Sequence, residues 1–162
     1  METWLSAFYL FCLIEFAVME IEAANLMDLG ALRHLGNICF GSDAWPLLDL
    51  IAVLTWPDVI RLKAVEAGEM IGFVAGDPRQ SRGVVWIAII AVDPRFRRRG
   101  IGRALMLACE EHVRLPFMKL SVRISNQSAI SMYEKLGYQS SDIWQAYYND
   151  GEDALVMAKK LT

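Results

Sequence analysis

From residue 84 to residue 92 every side chain is apolar and most are β-branched, a pattern that predicts a strand buried on both faces. Beyond a polar turn, Ile101, Ala104, Leu105, Ala108 and Cys109 recur at helical spacing until Pro116 stops the run. Upstream, residues 17–22 read as a first strand. Asn25, with Asp28 three positions on, opens a helix carrying Leu26, Leu29, Leu32, Leu35 and Ile38. The Gly41-Ser42 turn leads to a second helical segment at residues 45–54. Residues 59–67 and 69–76 form a hairpin about Gly68, and residues 77–83 are the next turn. Downstream come a strand at residues 117–122 and a helix capped by Asn126, with Ala129, Tyr133 and Leu136 on one face and Gly137 at its end. Strands at residues 138–148 and 153–159 close the chain around residues 149–152. The order β-α-α-β-β-β-α-β-α-β-β predicts an α/β sandwich.

A chain of 162 residues, 55% hydrophobic, is sized for one domain with a proper core, assigned to residues 17–162 behind an apolar extension at residues 1–16. The apolar run at residues 4–14 is too short to span a bilayer and lacks a basic lead and a cleavage site. A membrane-surface anchor, a homodimer contact and an upstream start are the alternatives it leaves open. Net charge is −3 with arginines concentrated in one turn, which argues against a nucleic-acid binder. Cys12, Cys39 and Cys109 are odd in number and sit in apolar contexts, as expected of reduced thiols in the cytoplasm. His34 and His112 read as structural or surface residues, and no metal site is expected.

The turn itself carries the chemistry. Main-chain N–H groups at a helix start have no intrahelical partner and present an anion site. Gly100 and Gly102 remove Cβ atoms from the approach, and Arg97, Arg98 and Arg99 add charge and forked donors suited to a pyrophosphate. The three-glycine dinucleotide fingerprint and the Gly-Lys-Ser/Thr triphosphate loop are both missing.

Arg97-x-x-Gly100-x-Gly102, after Val92-Asp93-Pro94 and before Ala104-Leu105, resembles the acyl-CoA pyrophosphate loop of the Gcn5-related N-acetyltransferases, the GNAT superfamily. Downstream, the segment from Leu120 through Asn126 to Tyr133-Glu134-Lys135-Leu136-Gly137-Tyr138 is similar to that family's strand–Asn–helix segment. The resemblance implies the GNAT fold: a central mixed, mostly antiparallel sheet of six to seven strands flanked by about four helices. It implies acetyl-CoA as cosubstrate, its pantetheine arm along Ile90, Ala91 and Val92 between two splayed strands. The pyrophosphate would lie on Arg97, Arg98, Arg99, Gly100, Ile101 and Gly102, and an amide-bearing portion on Asn126.

Acyl transfer requires a neutral amine, an oxyanion donor and a proton for the departing thiolate. Main-chain N–H near residues 90–92 is the expected oxyanion donor, and Tyr133 the expected proton donor. A phenol near 10 and a thiol near 8.5 differ by only about 2 kcal/mol. N-terminal-acetylating members similar to this chain carry a glutamate where this sequence has Ser121, which leaves two alternatives: Glu15, Glu22, Asp43 or Glu152 as a base acting through water, or an amine that arrives largely neutral. A weak base favours an α-amine over a lysine amine, which is harder to deprotonate by about 3 kcal/mol. Residues 147–157 resemble the terminal hairpin of protein N-terminal acetyltransferases, where Tyr147 and Tyr148 would flank a peptide backbone. The expected substrate is a protein or peptide N-terminal α-amine. The rivals are a small amine (polyamine, amino acid or aminoglycoside) and a non-catalytic acyl-CoA sensor.

Overall fold

Over residues 18–161, which the computed structural model describes, the apolar periods resolve into seven strands and four α-helices in the expected order. They are β1 (Glu20–Ala23), α1 (Leu29–Phe40), α2 (Leu47–Thr55), β2 (Ile60–Glu66), β3 (Glu69–Arg79), β4 (Val84–Val92), α3 (Ile101–His112), β5 (Phe117–Arg123), α4 (Gln127–Lys135), β6 (Gln139–Trp144) and β7 (Ala154–Lys160). The strands make one sheet in the order β1-β2-β3-β4-β5-β7-β6, antiparallel throughout except for the parallel pair β4–β5. The apolar extension at residues 1–16 lies outside the described residues.

Two cores flank the sheet. One joins α3 and α4 to Val85, Ile87, Met118, Leu120 and Met157; the other joins α1 and α2 to Phe73, Ala75, Ile89 and Ala91. That β4 serves both is the double burial expected of its unbroken apolar run, with one irregularity. Pairing with β3 steps from Ala75↔Ile89 to Gly76↔Ile87, so Ala88 is an extra, bulged residue. The bulge exchanges the faces: Val85 and Ile87 point to the α3 side before it, Ile89 and Ala91 to the α1 side after it.

Several boundaries differ from the sequence reading. The first strand begins at Glu20, later than the expected residue 17. Asn25 and Asp28 do form a capping box, but on the single 3-10 turn Leu26–Asp28, and the α-helix follows at Leu29. Of its five apolar residues only Leu32 and Leu35 are fully buried, while Leu26 and Ile38 are half exposed or nearly so. Steps of three residues drift about 60° around a helix of 3.6 residues per turn, so only the middle of such a stripe meets the sheet. The strand expected to reach Tyr148 stops at Trp144, because Ala146 is left-handed (φ 47°) and its N–H is taken by the Asp153 carboxylate at 2.8 Å.

α3 lies so close to β3 that a Cβ at Gly72 would sit 2.9 Å from Leu105 Cδ1 and 3.3 Å from the Ala91 carbonyl oxygen. Gly72→Ala is therefore expected to cost about 1–3 kcal/mol, the usual penalty for overpacking a filled core. It would appear as a lower midpoint in urea unfolding with an unchanged slope.

Candidate active site

β4 and β5 pair only at their starts, where Val84, Val85 and Trp86 lie beside Phe117, Met118 and Lys119. The bulge at Ala88 adds twist just beyond that point and turns β4 away from its parallel neighbour. The edge of β4 past Trp86, with Ile90, Ala91 and Val92, thus faces a wedge-shaped opening and not a strand. A long, thin ligand able to pair with main chain would fill it.

The turn 93–100 closes the upper end of this opening. Its anchor is Asp93, a buried carboxylate that accepts the Arg95 main-chain N–H at 2.8 Å and its guanidinium at 2.7 Å. Those Arg95 contacts hold its carboxyl below the usual range against the pull of burial. Arg98 (φ 66°) and Gly100 (φ 80°) are left-handed, which turns successive N–H groups toward one concavity. Among the described residues no acceptor bonds the main-chain N–H of residues 97–103, and α3 starts without a side-chain cap. A site of uncapped amides at a helix start fits a diphosphate.

The three arginines take three different places. Arg97 folds back, its Nε donating to the Val92 carbonyl at 3.2 Å. Arg98 reaches toward the first turn of α4, 3.5 Å from Ser128 Oγ. Arg99 donates to Glu66 at 2.7 Å and lies over the Phe96 ring, so it ties the turn to β2 and does not line the concavity through its side chain. Ile101 is buried as a core anchor of α3. Gly102 faces α4, where a Cβ would stand 3.3 Å from Met132 Sδ, so this glycine also sets the approach of the two helices.

Across the opening, Asn126 caps α4 through Oδ1, which accepts the Ala129 N–H at 3.2 Å. Two turns into that helix Tyr133 is 4% exposed, its ring edge-on to Tyr138 at 5.9 Å. Its hydroxyl has no partner among the described residues, yet no sealed-off unpaired side-chain oxygen occurs there either, so this hydroxyl keeps some contact with solvent. Burial, with a smaller contribution from the neighbouring Tyr148 phenol, pushes Tyr133 up, which keeps it protonated and a hydrogen-bond donor across the physiological range and widens its mismatch with a thiol beyond the about 2 kcal/mol of the free groups.

Tyr148 is half-buried, its phenol pushed up to about 12 chiefly by burial. Tyr147 is 51% exposed and meets Tyr148 edge-on at 5.2 Å. Both belong to the connection between β6 and β7, and Arg123 at the end of β5 pins that connection. Its guanidinium lies 3.9 Å from the Tyr148 ring centroid, bonds Asp43 between α1 and α2, and donates to Asp150 at 2.9 Å and to Glu152. Glu152 is held down to about 2 by the hydroxyl and N–H of Ser125 and then by Arg123. Asp43 also accepts from Asn149 Nδ2 at 3.0 Å.

The candidate bases are accounted for by these contacts. Glu152 and Asp43 have both oxygens engaged, Glu22 pairs with Lys63 on the far edge of the sheet, and Glu15 lies outside the described residues. Ser121, half-buried on β5, replaces none of them. The sequence reading gave no role to Arg123, Asp93, Trp86 or Trp144. Asp93 before Pro94 with an arginine two positions on is a local turn signal that was there to find. The partners of Arg123 lie 27, 29 and 80 residues away, beyond any local pattern.

A sheet opened between parallel strands, with uncapped amides at one rim and a buried phenol at the other, defines a cleft for an extended ligand with a diphosphate end. Residues 30–138 match the Acetyltransferase (GNAT) family, and the chain belongs to that family, an N-acetyltransferase with acetyl-CoA as cosubstrate. It is 43% identical over 158 residues to an N-alpha-acetyltransferase of Sulfurisphaera tokodaii, covering 88% of this chain and 93% of that protein. It is 30% identical over 148 residues to the N-terminal acetyltransferase A complex catalytic subunit NAA10 of Arabidopsis thaliana, covering 87% of this chain and 77% of that one. The crystal structure of the Escherichia coli ribosomal-protein-S18-alanine N-acetyltransferase superposes with a TM-score of 0.80 at 28% identity over 90% of this chain and 95% of its own. No described helix is long and apolar enough to cross a membrane.

Proposed function

We propose that this enzyme acetylates the N-terminal α-amine of a polypeptide by direct attack in a ternary complex. The observation that carries this reading is the state of the acids near Tyr148: Asp43 and Glu152 are consumed by Arg123, Asn149 and Ser125. A group held to a pKa of about 2 is a poor proton acceptor at neutral pH. The site then favours an amine that reaches the neutral state unaided, which an α-amine near 8 does about a hundredfold or more better than a lysine near 10.4. The same saturation argues against a polyamine, whose ammonium groups would need free carboxylates. The named activities of the Sulfurisphaera and Arabidopsis relatives, an N-alpha-acetyltransferase and an N-terminal acetyltransferase subunit, and of the Escherichia ribosomal-protein-S18-alanine N-acetyltransferase support the same class.

Acetyl-CoA supplies an activated acetyl thioester, and the residues of this chain do the rest. The N–H groups of residues 97–103 take the diphosphate, with Arg98 beside them. The open edge at Ile90, Ala91 and Val92 aligns the arm and offers N–H to the carbonyl oxygen. Asn126 keeps the α4 rim in place. Tyr147 and Tyr148 clasp the peptide backbone so that its amine approaches the thioester carbon. As the new C–N bond forms and the C–S bond breaks, Tyr133 gives its hydroxyl proton toward the departing sulfur, and the proton shed by the amine passes through water to restore the phenol.

Thiol release measured with free-N-terminus peptides, with the same peptides blocked at the α-amine but carrying lysine, and with spermidine, amino acids and an aminoglycoside tests this. Turnover is expected only with free α-amines on peptides. Activity confined to small amines or to lysine would overturn the reading.

A further inference from the structure

The open face of the sheet carries a second feature that the transfer chemistry does not use. Met118, Leu120 and Val122 on β5 point into the α3–α4 core, so alternation sends Phe117, Lys119, Ser121 and Arg123 to the opposite face. There, at the far end from Arg123, Arg79, Arg82, Val84, Trp86, Phe117 and Lys119 line a cavity of about 310 Å³. Three of the six are cations. Arg79 is paired with Asp77 at 3.2 Å, whereas Arg82 and Lys119 have no ion pair among the described residues. Lys160 lies opposite Phe117 on β7 and adds a fourth positive charge to this end of the face. In a chain of net charge −3 such a concentration stands out.

An unbroken row of rings connects this cavity to the transfer end. Arg79 lies over Trp86 at 5.5 Å, Trp86 stacks on Trp144 at 5.2 Å and 3°, Trp144 meets Tyr147 at 5.2 Å, and Tyr147 meets Tyr148, which Arg123 covers. The row begins at Tyr148, whose phenol acts on that of Tyr133, and ends in the basic cavity. An extended polypeptide whose first residue lies at Tyr148 would therefore pass along aromatic rings and reach positive charge.

We infer that the Arg79–Arg82–Lys119 cavity is a subsite for acidic side chains of the polypeptide substrate, downstream of the amine that is acetylated. The inference rests on the α-amine reading and specifies which polypeptides are preferred. Along β5, Lys119 is four residues from Arg123 and Phe117 six, roughly 13 to 20 Å at about 3.3 Å per residue. A peptide advancing at the same rise brings residues 5 to 7, counted from its N-terminus, over the cavity. Phe117 and Trp86 supply apolar walls that exclude water beside the cations, which strengthens their attraction for carboxylates.

The test compares peptides identical in residues 1–4 and carrying either three glutamates or three glutamines at residues 5–7. With the unaltered enzyme the glutamate peptide is expected to show about fivefold higher kcat/KM, the effect of two or three partly exposed charge pairs, through KM with kcat unchanged. The advantage should fall toward one as salt rises to 0.5 M. Arg82→Gln combined with Lys119→Gln should remove it while leaving the glutamine peptide's rate unchanged, and Arg82→Glu, which touches only an exposed side chain, should reverse it. Equal rates for both peptides with the unaltered enzyme, or a preference that survives Arg82→Glu, would overturn the subsite and leave α-amine acetylation standing. Absence of turnover with any free-N-terminus peptide would overturn both.

Discussion

Tyr133→Phe is expected to lower kcat by roughly 10²- to 10⁴-fold, the range that a positioned general acid contributes, while the affinity for acetyl-CoA stays within about threefold. The two quantities separate because of how the residue is placed. Its ring is packed in the core against Tyr138, and phenylalanine keeps every one of those contacts. Its hydroxyl bonds nothing in the described residues, so its removal leaves no protein group unpaired. The folded protein should therefore melt at nearly the same temperature, and calorimetric titration with acetyl-CoA should give a near-normal Kd. Burial raises the phenol above its ordinary pKa, so the hydroxyl remains a donor on the alkaline side and the kcat profile should show no fall attributable to it below about pH 10. Turnover that survives the change undiminished would remove Tyr133 from the chemistry and leave the leaving thiolate to be protonated by water.

Arg123→Ala should raise peptide KM and lower kcat/KM by roughly 30- to 100-fold, with acetyl-CoA binding little changed. Arg123 joins Asp43, Asp150 and Glu152, three acids from two separate loops, and lies against the ring of Tyr148. Although burial disfavours its charge, Asp43, Glu152 and Asp150 outweigh that and hold the guanidinium protonated. Its removal leaves three carboxylates facing one another, and the connection carrying Tyr147 and Tyr148 loses its tether to β5. Losing a charged hydrogen-bond partner costs about 2–2.7 kcal/mol, which is that fold-change. Acid should act on the same contact in the unaltered protein. Glu152 has a folded pKa of about 2 against an ordinary value near 4.5, so its contribution to stability is complete above about 4.5 and disappears as pH falls toward 2. Melting temperatures followed from pH 6 to pH 2 should decline across that window in the parent, and less steeply in Arg123→Ala. Unchanged peptide KM in the variant would show that the hub does not position the substrate.

The distance between two kinds of information separates what was readable from what was not. The turn from Val92 to Gly102 was readable because everything it needs is local: a strand end, a carboxylate before a proline, a left-handed glycine and a helix start. Asn126 as a cap and the hairpin about Gly68, whose neighbour Ala67 is also left-handed, are local in the same sense. The arginines were readable as charge but not as contacts. Whether Arg99 faces the diphosphate or Glu66 depends on where the β2–β3 hairpin comes to lie, and no spacing within residues 97–102 encodes that.

By itself the sequence determined the element order, the apolar faces and the amide-rich turn, because periodicity, capping and φ preferences act within a few residues. The tertiary structure decided the rest. A single bulge at Ala88 splits β4 from β5, Arg123 gathers acids from as far away as Asp43, and Trp86 meets Trp144 across the sheet. These depend on register and on strand neighbours that are remote in the chain. The sheet adds up long-range pairings that local propensity cannot see, and the reacting groups meet only where those pairings place them.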